Sequence, residues 1–160
     1  MATVISSSPF CLIPKELYDE KNIHDYWNAL YPDNVNENIG TDDIESSYLL
    51  YPKPNNVDAR YELSVSYNRI KRKLQNHANI VYICTFENEL KLLVIKDNNL
   101  VYIGCLHFDT KEDVLYHLAN VSQHYYENNL QVIFLYQQLT ASILRLLKKY
   151  FDIKKFRDYE

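Results

Sequence analysis

Cys105 and His107 stand two apart in an apolar run, a spacing that puts both on one face of a strand. His117 and His124, seven apart, share one face of a helix. Zinc needs three or four converging ligands with partners behind them. Each pair supplies two, and no spacing matches a zinc signature, so no metal is expected. Cys84 and Cys105 read as small core residues. If one strand lies between theirs, their Cα atoms are about 9–10 Å apart, beyond disulfide reach. Two-metal nuclease chemistry needs clustered carboxylates. The apolar runs Ile80–Phe86 and Leu130–Gln137 carry none, and Glu112 and Asp113 are explained as first-turn helix acids. His24-Asp25 reads as a surface pair. There is no G-x-S-x-G elbow, so no catalytic residue is expected.

Phosphate cradles need two or three glycines within about six residues. The chain has two glycines in 160 residues, Gly40 and Gly104, 64 positions apart. Neither a P-loop nor a dinucleotide fingerprint fits. Three cysteines without a C-x-x-C pair read as reduced thiols. No apolar run approaches the roughly 20 residues of a membrane helix, and residues 1–9 lack the pattern of a signal peptide. A cytoplasmic location without membrane contact is expected. Net charge is −4, with −7 in residues 1–58 and +3 in residues 59–160. Two stretches, Arg69–Lys73 and Arg145–Arg157, are basic, and the chain's 15 tyrosines are abundant enough to stack on bases. The acidic total and the missing recognition motif argue against nucleic acid.

The elements that must position these residues are clearest after residue 79. Ile80–Phe86, Glu89–Asp97 and Leu100–Phe108 read as three strands joined by turns at Glu87–Asn88 and Asn98–Asn99, an antiparallel meander. Thr110 with Asp113 three residues on predicts a helix start. Val114, Leu118, Val121 and Tyr125 make its apolar face as far as about Tyr126, and Asn128–Asn129 ends it. Leu130–Gln137 reads as a strand buried on both faces. Thr140 caps a second helix with Ile143, Leu146, Leu147 and Tyr150 inward, and a short strand follows at Ile153–Phe156. The order β-β-β-α-β-α predicts an α/β, ribonuclease H-like mixed sheet: a three-stranded antiparallel meander, then α-β-α crossovers.

The first part is less regular. Val4–Ser6 and Phe10–Ile13 look extended, and Pro14 suits a first helical turn. Ile23, Tyr26, Trp27 and Leu30 form an apolar stripe. Residues 32–41 read as a polar loop, and Ile44–Tyr51 as one strand closed by Pro52. Leu63, Tyr67, Ile70 and Leu74 give one face of a further helix, with Arg69, Lys71, Arg72 and Lys73 opposite. The expected division is a smaller, partial N-terminal α/β subdomain over 1–78 and a ribonuclease H-like subdomain over 79–160.

The opening Phe-Cys-Leu-Ile-Pro-Lys-Glu-Leu-Tyr-Asp-Glu (10–20), Leu49-Leu50-Tyr51-Pro52, and Phe108-Asp109-Thr110-Lys111-Glu112-Asp113 before Leu115-Tyr116-His117-Leu118 carry a resemblance. The chain resembles a family of Bacteroidetes proteins of unknown function with a divergent actin-like ATPase fold. The resemblance spans most of the chain and implies a fold rather than a reaction. Members are longer at the N-terminus, so a piece of a longer protein and a minimal variant both fit. Actin-like ATPases hold phosphates on glycine-containing hairpin turns, whereas the turn at Glu87-Asn88-Glu89 is acidic. The expectation is therefore a non-catalytic protein-binding scaffold with no cofactor, an unidentified protein partner, and a homodimer as a second form of partnership. The alternatives are a divergent nucleotide-binding ATPase and a nucleic-acid-binding protein. If a ligand binds, strand ends are the place in α/β folds, which selects Thr85, Glu87, Asp109 and Gln137.

Overall fold

A computed structural model of the chain describes residues 3–5, 9–34, 38–126 and 131–159. The structure groups into two compact units, Met1–Arg69 and Ile70–Glu160.

In the first unit, β1 (Thr3–Ile5) is followed by β2 (Cys11–Pro14), a 3-10 turn at Lys15–Leu17 and α1 (Ile23–Leu30). Then come β3 (Ile39–Ile44), β4 (Ser47–Pro52), β5 (Ala59–Tyr61) and the start of α2 (Glu62–Lys73). Strands β2, β4 and β3 form an antiparallel sheet in that order, and β1 pairs with β5 in parallel. Trp27 of α1 is wholly buried with Cys11 and Leu50, and Ile23 and Tyr26 pack on that cluster. Leu30, expected in the same stripe, is 56% exposed, because it falls in the last turn of an eight-residue helix. Leu63, Tyr67 and Ile70 are buried along one side of α2, with Leu74 buried just past its end, as the spacing predicts.

The strand expected over Ile44–Tyr51 is instead the end of one strand and most of another. Glu45, with φ of 52°, and Ser46 turn β3 into β4, and residues 39–41, read as loop, belong to β3. Alternation along β3 buries Gly40, Asp42 and Ile44. The buried carboxylate of Asp42 made this strand look like a loop. Its partners are remote: the Tyr61 N–H at 2.8 Å, the Tyr51 hydroxyl at 3.1 Å, and the Ser64 hydroxyl. A buried carboxylate is tolerable only with such donors, and no local pattern announces donors 9 to 22 residues away.

The second unit contains β6 (Ile80–Phe86), β7 (Glu89–Lys96), β8 (Asn99–His107), α3 (Lys111–Tyr125), β9 (Ile133–Gln137), α4 (Ala141–Leu147) and β10 (Ile153–Lys155). The sheet order is β10-β9-β6-β7-β8, with β6-β7-β8 antiparallel and β9 and β10 parallel to β6. The fold is thus mixed α/β, with one five-stranded mixed sheet and one three-stranded antiparallel sheet. The β7–β8 turn is one residue earlier than its asparagines suggest. Asp97 and Asn98 are both left-handed, with φ of 50° and 66°, the geometry of a two-residue hairpin turn. The Asp97 N–H donates to Asn79 Oδ1 at 3.1 Å and the Asn98 N–H to Ala78 O at 2.9 Å, which fixes that register.

Both helices cover one side of this sheet. Val114, Leu118 and Val121 of α3, with Ile143 and Leu147 of α4, are buried on Val81, Ile83, Leu90, Leu92 and Val94. Each such aliphatic side chain contributes about 1.5–3 kcal/mol by leaving water. Tyr126 ends α3 and donates its hydroxyl to Ile95 O at 2.7 Å, tying the helix end to the sheet; burial pushes its pKa well above the usual phenol value. Tyr150, expected inward, is 65% exposed, since α4 stops at Leu147. Strand β9 starts at Ile133 and buries only Leu135 fully, so its apolar run does not report burial on both faces. Ser6, Asn128, Asn129 and Leu130 of the sequence reading lie outside the described residues. On the opposite side of the sheet Tyr82, Leu93, Leu135 and Lys91 are buried, with the Lys91 ammonium 5.9 Å from the centre of the Phe86 ring. No helix among the described residues is long and apolar enough to cross a membrane.

Candidate functional site

Strands β6, β8 and β9 run parallel to one another, so their C-terminal ends share one edge of the five-stranded sheet. Thr85 lies near the end of β6, Glu87 in the following turn, Asp109 just past β8, and Gln137 closes β9. The edge is common to all four, but their side chains do not converge. Gln137 is in register with Cys84, so neighbouring Thr85 points to the other face of the sheet.

Their polar groups are largely engaged within the chain. Thr85 is buried, and its hydroxyl donates to Gln138 O at 2.7 Å. The Gln137 side-chain oxygen accepts from the Tyr82 hydroxyl at 2.9 Å. Asp109 Oδ1 is 3.0 Å from His107 Nε2, but both side chains are mostly exposed, and such surface pairs contribute little. Glu87 is exposed, with φ of 50°.

Two further residues define this edge. Gln138, with φ of 54°, turns the chain from β9 toward α4, and its carbonyl accepts both the hydroxyl and the N–H of Thr85, the latter at 3.3 Å. Neither its type nor its position signals a left-handed residue. Asp113 was legible as the partner of Thr110, but not as the filler of this edge. Its Oδ2 accepts the Thr110 N–H at 2.8 Å and the Asp109 N–H at 3.0 Å, while Thr110 Oγ1 accepts the Asp113 N–H at 3.2 Å. The Thr110 and Asp109 N–H groups and the Thr110 hydroxyl hold the Asp113 carboxyl below its ordinary pKa. The backbone N–H groups just ahead of α3 are therefore already taken by one of the chain's own carboxylates.

The cysteines and histidines form no centre. Cys84 is buried, but Cys105, on the last strand of the sheet, is exposed, contrary to the core reading. Lys91 separates the two in register, so they are two strands apart as expected. Partial desolvation, with Glu89 beside it, pushes the Cys105 thiol up to about 11, the reverse of an activated nucleophile. No group of three or more metal-ligating side chains occurs among the described residues. The basic stretch 69–73 ends α2, where the helix dipole favours cations, and Lys71 Nζ donates to Asn98 O.

No protein-family model matches the chain, and no curated protein matches it. A solved structure does, a protein of unknown function with an actin-like ATPase fold from Bacteroides thetaiotaomicron. In fold, this chain resembles that actin-like protein. The superposition has a TM-score of 0.73 at 16% identity and covers 98% of this chain and 68% of the other. Identity that low speaks to architecture alone, and it agrees with the general class expected from the order of elements.

Proposed function

We propose that the chain is a non-catalytic, cytoplasmic protein-binding scaffold on a degenerate actin-like framework. Residues 79–160 are its ribonuclease H-like subdomain, since a meander followed by parallel crossovers, in the order β10-β9-β6-β7-β8, is the arrangement of that fold. Residues 1–78 are a partial partner subdomain. The sequence resemblance to the Bacteroidetes family belongs to the same reading.

One observation carries it. At the sheet edge where an actin-like ATPase would present phosphate-binding backbone, the N–H groups of Asp109 and Thr110 are taken by the Asp113 carboxylate. The neighbouring turn adds Glu87 and Glu89 and no glycine. A polyphosphate would have to displace a fixed negative charge and approach two more, which is unfavourable by Coulomb's law even before desolvation. The test is a thermal-shift titration with Mg-ATP, Mg-GTP and ADP. A ligand at a hundredfold excess over its dissociation constant adds about 2.7 kcal/mol of stability. A flat response supports the scaffold. A saturable rise in Tm, or ATP turnover abolished by changing one acid at this edge, rejects it in favour of a divergent ATPase.

A further inference from the structure

Positive charge is concentrated at the end of the second unit. Residues 145–157 carry six bases, Arg145, Lys148, Lys149, Lys154, Lys155 and Arg157, and one acid, Asp152, a net charge of +5. The rest of the chain has eleven bases and twenty acids, a net charge of −9. All six bases are exposed. Lys154 Nζ lies 3.5 Å from Asp152 Oδ2. The side chains of the other five make no ion pair or hydrogen bond with the described residues. By contrast Lys15 pairs with Asp43 at 2.7 Å, and Lys71 donates to Asn98 O.

The backbone gives this charge a shape. After α4 the chain closes in tight turns. The Lys148 N–H donates to Leu144 O, that of Lys149 to Leu146 O, and those of Tyr150 and Phe151 both to Leu147 O, at 2.9–3.1 Å. Residues 148–153 then line an open hollow of about 560 Å³. Tyr150 on its wall is 65% exposed. Phe151 is half-buried and anchored on Phe134, their ring centres 4.8 Å apart. Arg145 precedes Lys148 and Lys149 by three and four residues, the spacing that brings side chains to one side of a helical turn. The helix dipole favours cations at the end of α4, but it does not account for a large ring left in water beside them.

We infer that this surface receives an acidic segment of a partner protein. Its carboxylates would meet Lys148 and Lys149, flanked by Arg145 and Lys154, and one of its apolar side chains would lie against Tyr150 and Phe151. The inference rests on the protein-binding role proposed above and adds the chemistry of the partner. Cations without partners of their own are free to steer and hold an opposite charge, and tyrosine is a common anchor at the centre of an interface. A nucleic acid strand suits the surface less well. It needs a basic track along its backbone and rings for successive bases. This surface exposes one ring, and the rest of the chain is acidic. A short acidic segment needs only the local cations, because charges further off than about 8 Å are screened at physiological salt.

The test is fluorescence anisotropy of the full chain with a short labelled peptide of Asp and Glu around a central Leu-Phe pair. Binding should be saturable and should weaken as salt rises. The same peptide with Asn and Gln in place of its acids should not bind. Lys149→Glu should weaken binding by about fivefold or more, whereas Lys21→Glu, the same charge change at an exposed lysine of the first unit, should leave it within about twofold. Tyr150→Ala should also weaken it, with the salt dependence unchanged. Circular dichroism checks that the variants are folded. One readout needs no variant: in the unaltered protein, amide NMR shifts caused by the peptide should cluster in residues 145–155. A flat titration at low salt overturns the inference and leaves the scaffold reading to the nucleotide test. Equal losses for Lys149→Glu and Lys21→Glu, shifts centred elsewhere, or tighter binding of an oligothymidylate than of the peptide also overturn it.

Discussion

Replacing Asp42 by alanine tests whether a buried carboxylate organises the first unit. The magnitude follows from what its partners retain. The Tyr51 hydroxyl has a second acceptor, Ala59 O at 2.7 Å, and the Ser64 hydroxyl has Tyr61 O at 2.8 Å. Both can keep a bond after the change. The Tyr61 N–H donates to Asp42 Oδ2 at 2.8 Å and would be left buried beside a methyl group. One orphaned buried donor costs about 1–3 kcal/mol. Relief from burying a charge offsets part of this, so Asp42→Ala should lose about 2 kcal/mol. Asp42→Asn keeps an oxygen for the Tyr61 N–H and should lose about half as much. Urea unfolding followed by Trp27 fluorescence is the assay, since Trp27 is the one tryptophan and is wholly buried in this unit. With a urea m-value near 1 kcal/mol/M, expected for a small unit, the midpoint for alanine should fall by about 2 M. An alanine variant as stable as the original, or less affected than the asparagine variant, would refute the reasoning and make the carboxylate a passive passenger.

The capping box of α3 should respond to both mutation and pH. Thr110→Ala should cost about 1 kcal/mol, measured as a lower unfolding midpoint. Because the folded pKa of Asp113 lies below its ordinary value of 3.8, its stabilisation is present above that value and is lost as pH falls through the lower, folded one. Acid titration of Asp113→Asn should accordingly be flatter in that range. The two glycines should differ. Gly40→Ala puts a Cβ 2.5 Å from the Tyr51 ring, which is buried and hydrogen-bonded, and should cost about 1–3 kcal/mol. Gly104→Ala meets the Tyr102 ring, which is half-buried and able to swing away, and should cost less in the same assay. In native protein a maleimide should label Cys105 ahead of buried Cys11 and Cys84. With its thiol raised to about 11, the rate should climb about tenfold per pH unit between 7 and 10, following the thiolate fraction.

Much of the second unit was legible because its signals are local. The strand spans Ile80–Phe86 and β7–β8 follow from apolar runs separated by polar turns, and the start of α3 from Thr110 and Asp113, which bond each other three residues apart. The limit there came from outside the local pattern. The β7–β8 turn slipped by one residue because Asp97 and Asn98 are held by Asn79 and Ala78, outside the hairpin. In the first unit the decisive interactions are long-range. Asp42 reads as a loop residue until Tyr51, Tyr61 and Ser64 are brought to it. The strand-end residues Thr85, Glu87, Asp109 and Gln137 do share one edge, a consequence of parallel strands. The side on which each would project, and the carbonyl of Gln138 that occupies Thr85, depended on register and a left-handed turn that residue types do not encode.

The glycines connect composition to function most directly. A phosphate nest needs glycine in a turn, where it lets backbone N–H groups face the ligand at close range. Neither glycine here is in a turn. Gly40 lies in β3 and Gly104 in β8, neither with positive φ, and each leaves space for a tyrosine ring, Tyr51 and Tyr102. The left-handed turn positions go instead to Glu45, Asn56, Glu87, Asp97, Asn98 and Gln138. Each of these brings a side chain, and three bring a carboxyl group, to a place where a phosphate-binding turn would bring bare backbone. On this chain the missing side chain of glycine, rather than its conformational freedom, serves close packing of aromatic rings inside sheets. A nucleotide-binding descendant of the same framework would need its glycines moved from the middle of its strands to their ends.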